Sequence, residues 1–288
     1  MTHRVRDWLK GEARLARSLF RWGALPYHAL RREQRPGVVV LLYHRVGGST
    51  RSEIDVAVGL FERQMDYLRR HVRVVSLDDV VRISMNGSGP PAQRDVVAIT
   101  FDDGHQGTYH LAYPILHRYS LPATIYVPAM YLEARRPFDF GAYRAMDPAE
   151  RPRPLTWDQL AEMGGSGLMT IGAHTHTHAD LSRLSLEEAR RELDECDRLI
   201  EARLGFRPKH FAYPWGRWAP ATHALVASRY DTVALGGPAK NPYRALDLSR
   251  MWRYPVIQSD GFWLFRARLR LLTARDGFGY DRLDGDTA

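Results

Sequence analysis

The chain has 288 residues, with 41 basic against 33 acidic side chains and a formal charge of +8. An apolar content of 44% and a charged content of 26% belong to an ordinary globular protein, which excludes wholesale disorder, collagen-like repeats and a polytopic membrane protein. The single cysteine, Cys196, excludes an intramolecular disulfide framework and a cysteine-rich zinc site, so any metal must be held by His, Asp or Glu.

The basicity sits at the ends. Residues 1–36 hold eight Arg and one Lys against three acids, residues 262–275 hold four Arg and no acid, and residues 276–288 hold four Asp and one Arg. The body between is nearly neutral, which argues against nucleic-acid binding. Within 1–36, Trp8, Leu9, Leu15, Leu19, Phe20 and Trp22 recur at roughly helical spacing among arginines, a basic amphipathic pattern. It fits peripheral contact with an anionic membrane and, equally, packing on the chain's own domain. No run reaches the ~18 apolar residues of a membrane span. Basic residues continue through Arg14, Arg17 and Arg21 with no apolar region behind them, so no secretory signal is recognised. The expected location is the cytoplasm or the inner face of the membrane.

Pro36-Gly37 opens the body, and Val38–Tyr43 is a short β-branched run that predicts a buried strand, ending in His44-Arg45-Val46-Gly47-Gly48. Residues 60–71 have helical periodicity. Val72–Ser76 predicts a strand leading to a short helix from Leu77, and 86–91 is a Gly/Pro loop. Val96–Phe101 predicts the next buried strand, with Asp102-Asp103-Gly104 just beyond it. A helix around Leu111–Tyr119 and a strand at Ala123–Val127 follow, then an Arg- and Pro-rich insertion loop over 132–154. A helix around Trp157–Met163 precedes a strand at Leu168–Ile171 and the run His174-Thr175-His176-Thr177-His178. Leu184–Leu204 is a long amphipathic helix whose Ser185 and Glu188 form a capping-box pattern. Phe211–Tyr213 predicts a strand closed by Pro214-Trp215-Gly216. Further strands are expected near Thr232–Leu235 and Trp252–Val256, and a last helix over about Phe262–Ala274. Strand and helix alternate without internal repeats. This predicts an α/β fold with a parallel sheet, a distorted, incomplete (β/α) barrel.

Polar residues cluster at four predicted strand ends: His44, Asp102/Asp103, His174/His178 and Tyr213. In a β/α barrel these ends form the active-site face. Adjacent carboxylates repel if both are buried and unpaired, and a cation or shared proton resolves that; a solvated Asp-Asp-Gly turn is the alternative. On a helix His174 and His178 would share one face at i, i+4; on a turning loop other pairs converge. Neutral imidazole with carboxylate suits zinc and similar divalent ions, and two His with one Asp leave coordination positions open; an exposed polar loop is the alternative. A lone His44 reads as structural, but beside a metal site it offers an acid or base.

Thr100-Phe101-Asp102-Asp103-Gly104, followed by Gly172-Ala173-His174-Thr175-His176-Thr177-His178, resembles the polysaccharide deacetylase family (NodB homology, carbohydrate esterase family 4). The resemblance covers about residues 37–272. It implies Asp102 as general base, with Asp103, His174 and His178 as metal ligands. The segment Phe211-Ala212-Tyr213-Pro214-Trp215-Gly216 lacks the family's usual Arg and resembles the branch that includes poly-N-acetylglucosamine deacetylases. By that resemblance the Tyr213 backbone N–H serves the oxyanion. No His follows His223, so the usual C-terminal acid is missing. The same branch is circularly permuted, and Leu41-Leu42-Tyr43-His44 matches its displaced strand, making His44 the candidate acid. The Arg that orients the base is Arg253, in Arg253-Tyr254-Pro255-Val256, with Arg217 as competitor. Tyr213, Trp215 and Trp218 offer faces for sugar stacking, with core packing as the alternative.

The resemblance implies a metal-dependent carbohydrate N-deacetylase. It would hydrolyse N-acetyl groups from an amino sugar by attack of metal-activated water, with an Asp base and a His acid. The cofactor is a divalent ion, Zn²⁺ first, with Co²⁺ and Ni²⁺ as alternatives. The partner is an N-acetylated glycan. Alternatives are a deformylase or de-N-acylase of a lipid- or nucleotide-linked sugar, and a catalytically silent carbohydrate-binding relative. The expected organisation is an amphipathic segment at 1–36, a catalytic domain at 37–275 and an acidic tail at 276–288.

Overall fold

The computed structural model describes residues 36–50, 52–85, 95–237 and 239–271. The expected N-terminal amphipathic helix, the 86–91 loop and the acidic tail lie outside the described residues.

The predicted run at the start of the body forms β1 (Gly37–Tyr43), buried along its whole length. Such a run suits a strand flanked on both edges and covered on both faces. On one edge it pairs in parallel with β5 (Val96–Phe101), from Val38↔Val96 to Tyr43↔Phe101. The sheet continues in parallel through β6 (Ala123–Val127), β7 (Met169–Ala173), β8 (His210–Ala212) and β9 (Thr232–Ala234). On its other edge β1 takes β10 (Asn241–Pro242), antiparallel, and then β11 (Arg253–Pro255), parallel. A single parallel bridge, Ala234↔Met251, links β9 to the chain that enters β11. The sheet therefore curls into the expected incomplete barrel, thinly closed between β9 and β11.

Alternation along each strand sorts side chains into two layers. Val39, Leu41 and Tyr43 join Val97, Ile99 and Phe101 in the outer core. Val38, Val40, Val96 and Ala98 join Tyr126, Ala212, Ala234 and Met251 in the barrel interior. The outer core is covered by helices α1 (Val58–His71), α5 (Trp157–Gly165), α6 (Leu186–Leu204), α7 (Pro220–Ala227) and α8 (Gly261–Leu271), with three more between α1 and α5 along the chain. Of these, α2 (Leu77–Met85) adds Leu77 and Val80 to the interior cluster, while α3 (Tyr113–Arg118) and α4 (Ala129–Glu133) pack outside. The Ser185–Glu188 capping box starts α6 as expected, and Gly205, at φ 79°, ends it in the left-handed conformation that glycine adopts without strain.

Several expectations shift. The strand expected over 72–76 shrinks to β4 (Arg73–Val74). The helix around Leu111–Tyr119 begins with a π turn at Thr108–Ala112. The 132–154 insertion is not merely a polar loop. Tyr131, Phe138 and Phe140 form a small buried cluster with Tyr143 against it. Its ends are tied by hydrogen bonds from Phe138 N to Pro152 O, from Gln106 N to Arg153 O and from Leu155 N to Gly104 O.

Candidate active site

The interior-facing series of β1 runs Val38, Val40, Leu42 and on to His44; that of β5 runs Val96, Ala98, Thr100 and on to Asp102. Strand parity thus delivers His44 and Asp102 to the same opening at the C-terminal ends. There a cavity of about 340 Å³ is lined by Leu42, His44, Asp102, Asp103, His174, His178 and Arg253, with a rim from Phe140–Tyr143, Trp215 and Gly236.

Of the two candidate arginines, Arg253 is the one that pairs with Asp102. It is 1% exposed and grips Asp102 with both arms of its fork, Nη1 to Oδ1 at 2.6 Å and Nη2 to Oδ2 at 2.8 Å. Its Nε donates to Leu235 O at 3.1 Å. Arg217 instead pairs with Asp180 at 3.1 Å on the surface. Burial alone would raise the Asp102 pKa. The charges of Arg253 and His174, with the Arg253 hydrogen bonds, outweigh it and hold the carboxyl below its usual range.

Asp103 has φ 69° and Gly104 φ 64°, a left-handed turn that carries the chain out of β5. The histidine run is a turn as well, not a helix, with Thr175 at φ 61° and His178 at φ 62°. These turns bring Asp103 Oδ1 to 3.5 Å from His174 Nε2 and 3.1 Å from His178 Nε2. Burial would raise the Asp103 pKa. The three imidazoles packed against its oxygens, His105, His174 and His178, outweigh it and hold the group well below the carboxylate range. For His178, burial lowers the pKa and outweighs the opposing pull of Asp103.

This donor set fits a divalent ion. One ligand atom from each of Asp103, His174 and His178 lies within 4.8 Å of the others, and all three residues are buried. His174 Nδ1 lies 2.7 Å from Ala212 O. A carbonyl only accepts, so Nδ1 carries the proton and Nε2 turns a lone pair into the cavity, the arrangement of metal-binding imidazoles. His176, the middle histidine, is outside this group.

His44 lines the cavity. Burial lowers its pKa from the usual histidine value, against the pull of Asp103 and Asp102. Trp215 is at the rim, 46% exposed, in a left-handed conformation at φ 63°. It meets the His178 ring edge-on at 4.7 Å. Tyr213 departs from expectation. Its amide already donates to Ala234 O at 3.1 Å, its side chain is fully buried in the outer core, and its hydroxyl lies 3.1 Å from His223 Nδ1. It has the parity of Phe211, and its side chain faces away from the cavity. Trp218 packs against His223 at 5.1 Å with Arg250 over its ring, also outside the cavity lining.

Sequence reasoning missed Phe140, Tyr143 and His105. Phe140 stacks on His178 at 3.8 Å with 13° between ring planes. His105 Nε2 lies 3.4 Å from Asp103 Oδ2. The one available signal was the position of His105 directly behind Asp102-Asp103-Gly104. Phe140 and Tyr143 lie in an insertion without periodicity.

The family model described as polysaccharide deacetylase matches residues 89–232, half of the chain. The chain belongs to the polysaccharide deacetylase family. Among curated relatives, the poly-beta-1,6-N-acetyl-D-glucosamine N-deacetylase of Staphylococcus aureus is 25% identical over 205 residues, covering 67% of this chain and 64% of that protein. The chain spans less than two thirds of the length of the first curated relatives it matches. Among solved structures, IcaB from Ammonifex degensii is 25% identical with a TM-score of 0.69, over 82% of this chain and 98% of that one. The Streptococcus pyogenes deacetylase PplD, solved with acetate, shares the fold at 23% identity and a TM-score of 0.69, over 82% of this chain and 99% of that one. In this deacetylase-family chain His44, Asp102, Asp103, His174, His178, Trp215 and Arg253 line one pocket, and Tyr213 does not. Among its described residues no helix is long and apolar enough to cross a membrane.

Proposed function

We propose that this chain is a metal-dependent N-deacetylase that hydrolyses the N-acetyl group of an amino sugar in a poly- or oligosaccharide or glycan precursor, with its catalytic unit over 37–275. The observation that carries the reading is the juxtaposition of the Arg253–Asp102 fork with the Asp103–His174–His178 donor set in one cavity. A divalent ion held by those three donors, Zn²⁺ before Co²⁺ or Ni²⁺, supplies Lewis-acid polarisation of the amide carbonyl and makes water a stronger nucleophile.

The chain's own residues do the rest. Asp102, kept ionised by Arg253, accepts the proton of the attacking water at a carboxylate oxygen. Arg253 occupies both oxygens from behind and fixes the plane of the carboxylate, the orientation that proton transfer requires. His44, beside Asp102 at the end of the neighbouring strand β1, gives as its imidazolium a proton to the departing amine, which is far more basic than imidazole. Trp215 offers an exposed aromatic face beside His178 for the sugar ring. Acetate and the free amine are the products.

The test is acetate release from N-acetylated glycans by metal-replete protein, run against Asp102→Asn. The substituted protein should bind metal as before and lose turnover; undiminished turnover would remove Asp102 as base. The N-acetylated glycan panel should include lipid-linked and short soluble members. We also propose that residues 1–36 hold the protein peripherally at an anionic membrane. Equal binding of the full chain and of a chain lacking 1–36 to phosphatidylglycerol vesicles would refute that.

A further inference from the structure

His105 plays no part in the chemistry above, yet it is 1% exposed and stands directly behind a proposed ligand. Its Nε2 is 3.4 Å from Asp103 Oδ2 and 3.3 Å from Tyr143 Oη. Its Nδ1 is buried without a hydrogen-bond partner among the described residues. The other oxygen of the same carboxylate, Oδ1, faces His178 and His174. The two oxygens of Asp103 are therefore divided between a cavity side and a rear side.

The tautomer follows from the partners. As a metal ligand Asp103 is a carboxylate anion, which only accepts hydrogen bonds. The His105 nitrogen that faces it must carry the proton, so the orphaned Nδ1 is a lone pair rather than a stranded N–H. The ring is held in place from several sides. Phe138 meets it edge-on at 4.8 Å and Tyr143 at 5.8 Å, and its backbone is bridged to Pro154. Phe138 and Tyr143 both come from the inserted segment. Phe140 of the same segment stacks on His178. The insertion thus reaches two of the three donors, His178 directly and Asp103 through His105.

We propose that His105, clamped by Tyr143, is a positioning residue: it holds Oδ2 of Asp103 so that Oδ1 is presented to the cavity, and the 138–143 segment thereby sets the affinity of the centre for its divalent ion. This rests on the metal reading above. It differs from an ordinary packing role because the interaction is directional, and only a donor at the Nε2 position satisfies it.

The experiment measures Zn²⁺ affinity of the full chain by chelator competition, and the visible absorption of the Co²⁺ form as a report on ligand geometry. His105→Leu should weaken Zn²⁺ binding by about 10–100-fold, the usual cost of losing the group that orients a ligand, and should alter the Co²⁺ spectrum. His105→Gln carries an N–H at the place of Nε2 and should recover most of the affinity. Tyr143→Phe should weaken binding by less than His105→Leu, and it decides the matter alone if His105→Leu does not fold. Asp103→Asn separates the two readings. If wild type and Asp103→Asn bind Zn²⁺ equally, the metal centre itself is wrong and the proposal falls with it. If Asp103→Asn loses the metal while His105→Leu and Tyr143→Phe match wild type in affinity and spectrum, only the positioning role is overturned.

Discussion

Replacing Arg253 tests the site and the fold together. Arg253→Met keeps volume and removes the fork, leaving the Asp102 carboxylate, 3% exposed, buried without its partner. Stranding one member of a buried ion pair costs about 3–5 kcal/mol. At roughly 2–4 °C per kcal/mol for a domain of this size, the melting temperature should fall by about 6–20 °C. The pH dependence gives an independent sign. In the wild type the Asp102 pKa is depressed. That contributes stability above the unfolded carboxylate pKa, and the contribution is lost as pH falls through the folded value. In Arg253→Met burial acts with less opposition and the folded pKa rises. The stability gap between wild type and variant should therefore open as pH rises and narrow in acid. The acid limb of kcat/KM should move upward in pH for the same reason. Arg253→Lys keeps the charge but not the two-armed geometry, so it should lose less stability while turnover falls by about 10²-fold, the scale of a misplaced catalytic group. In an Asp102→Asn background, Arg253→Met should cost less than in wild type, because no carboxylate is left behind. Arg253→Met that melts within a degree or two of wild type at neutral pH, with an unmoved acid limb, would refute the reasoning.

Other outcomes follow from the same geometry. Dialysis against a chelator should abolish acetate release, and adding Zn²⁺ back should raise the melting temperature in proportion to the logarithm of free metal; an unchanged melting curve would count against a folded-state site at Asp103, His174 and His178. His44→Ala should lower turnover by about 10²–10⁴-fold and remove the alkaline limb of the pH profile; unchanged turnover with an unchanged profile would remove His44 as the acid. Gly141→Ala should raise KM more than it lowers kcat. Gly141 sits at φ +52°, and an added Cβ would lie 2.8 Å from Trp215 Cη2, so the rim tryptophan must move; unaltered KM would show that Trp215 does not bind substrate.

The strands were legible because a parallel sheet buries both faces, which turns β1 and β5 into unbroken apolar runs. Polar residues directly after such runs could only be at the barrel mouth, and His44, Asp102, Asp103 and His174 are found there. Tyr213 lies outside the cavity for a reason the sequence also contained. It keeps the parity of Phe211, and both belong to the outer core. The chain must first pass through the Pro214 turn before a side chain, that of Trp215, reaches the cavity rim. The choice between Arg253 and Arg217 was open because an arginine is a surface residue by default, and only the register Val40↔Arg253 puts one of them on the interior parity. His105, Phe140 and Tyr143 act through an irregular insertion, where no period links sequence spacing to direction.

The place of Arg253 in the barrel also bears on how function and stability are joined. The sheet closes between β9 and β11 through one backbone bridge, Ala234↔Met251, followed by a strand of three residues. Backbone pairing is thin there, as it is between β7 and β8, which share the single pair Ala173↔Phe211. Arg253 spans that gap from inside, with Nε on Leu235 O just beyond β9 and its fork on Asp102 just beyond β5. Because β1 lies between β11 and β5, the ion pair ties three strands across the barrel mouth. The proposed base and the closure of the sheet are thus one structure. A substitution at Arg253 cannot lower activity without loosening the barrel, whereas Asp102→Asn loosens it less than Arg253→Met, since the amide oxygen still accepts from one arm of the fork while its NH2 group faces the other. That asymmetry separates a base held by its arginine from an arginine that merely fills the interior: only the first predicts that Asp102→Asn silences turnover while the fold and the metal remain.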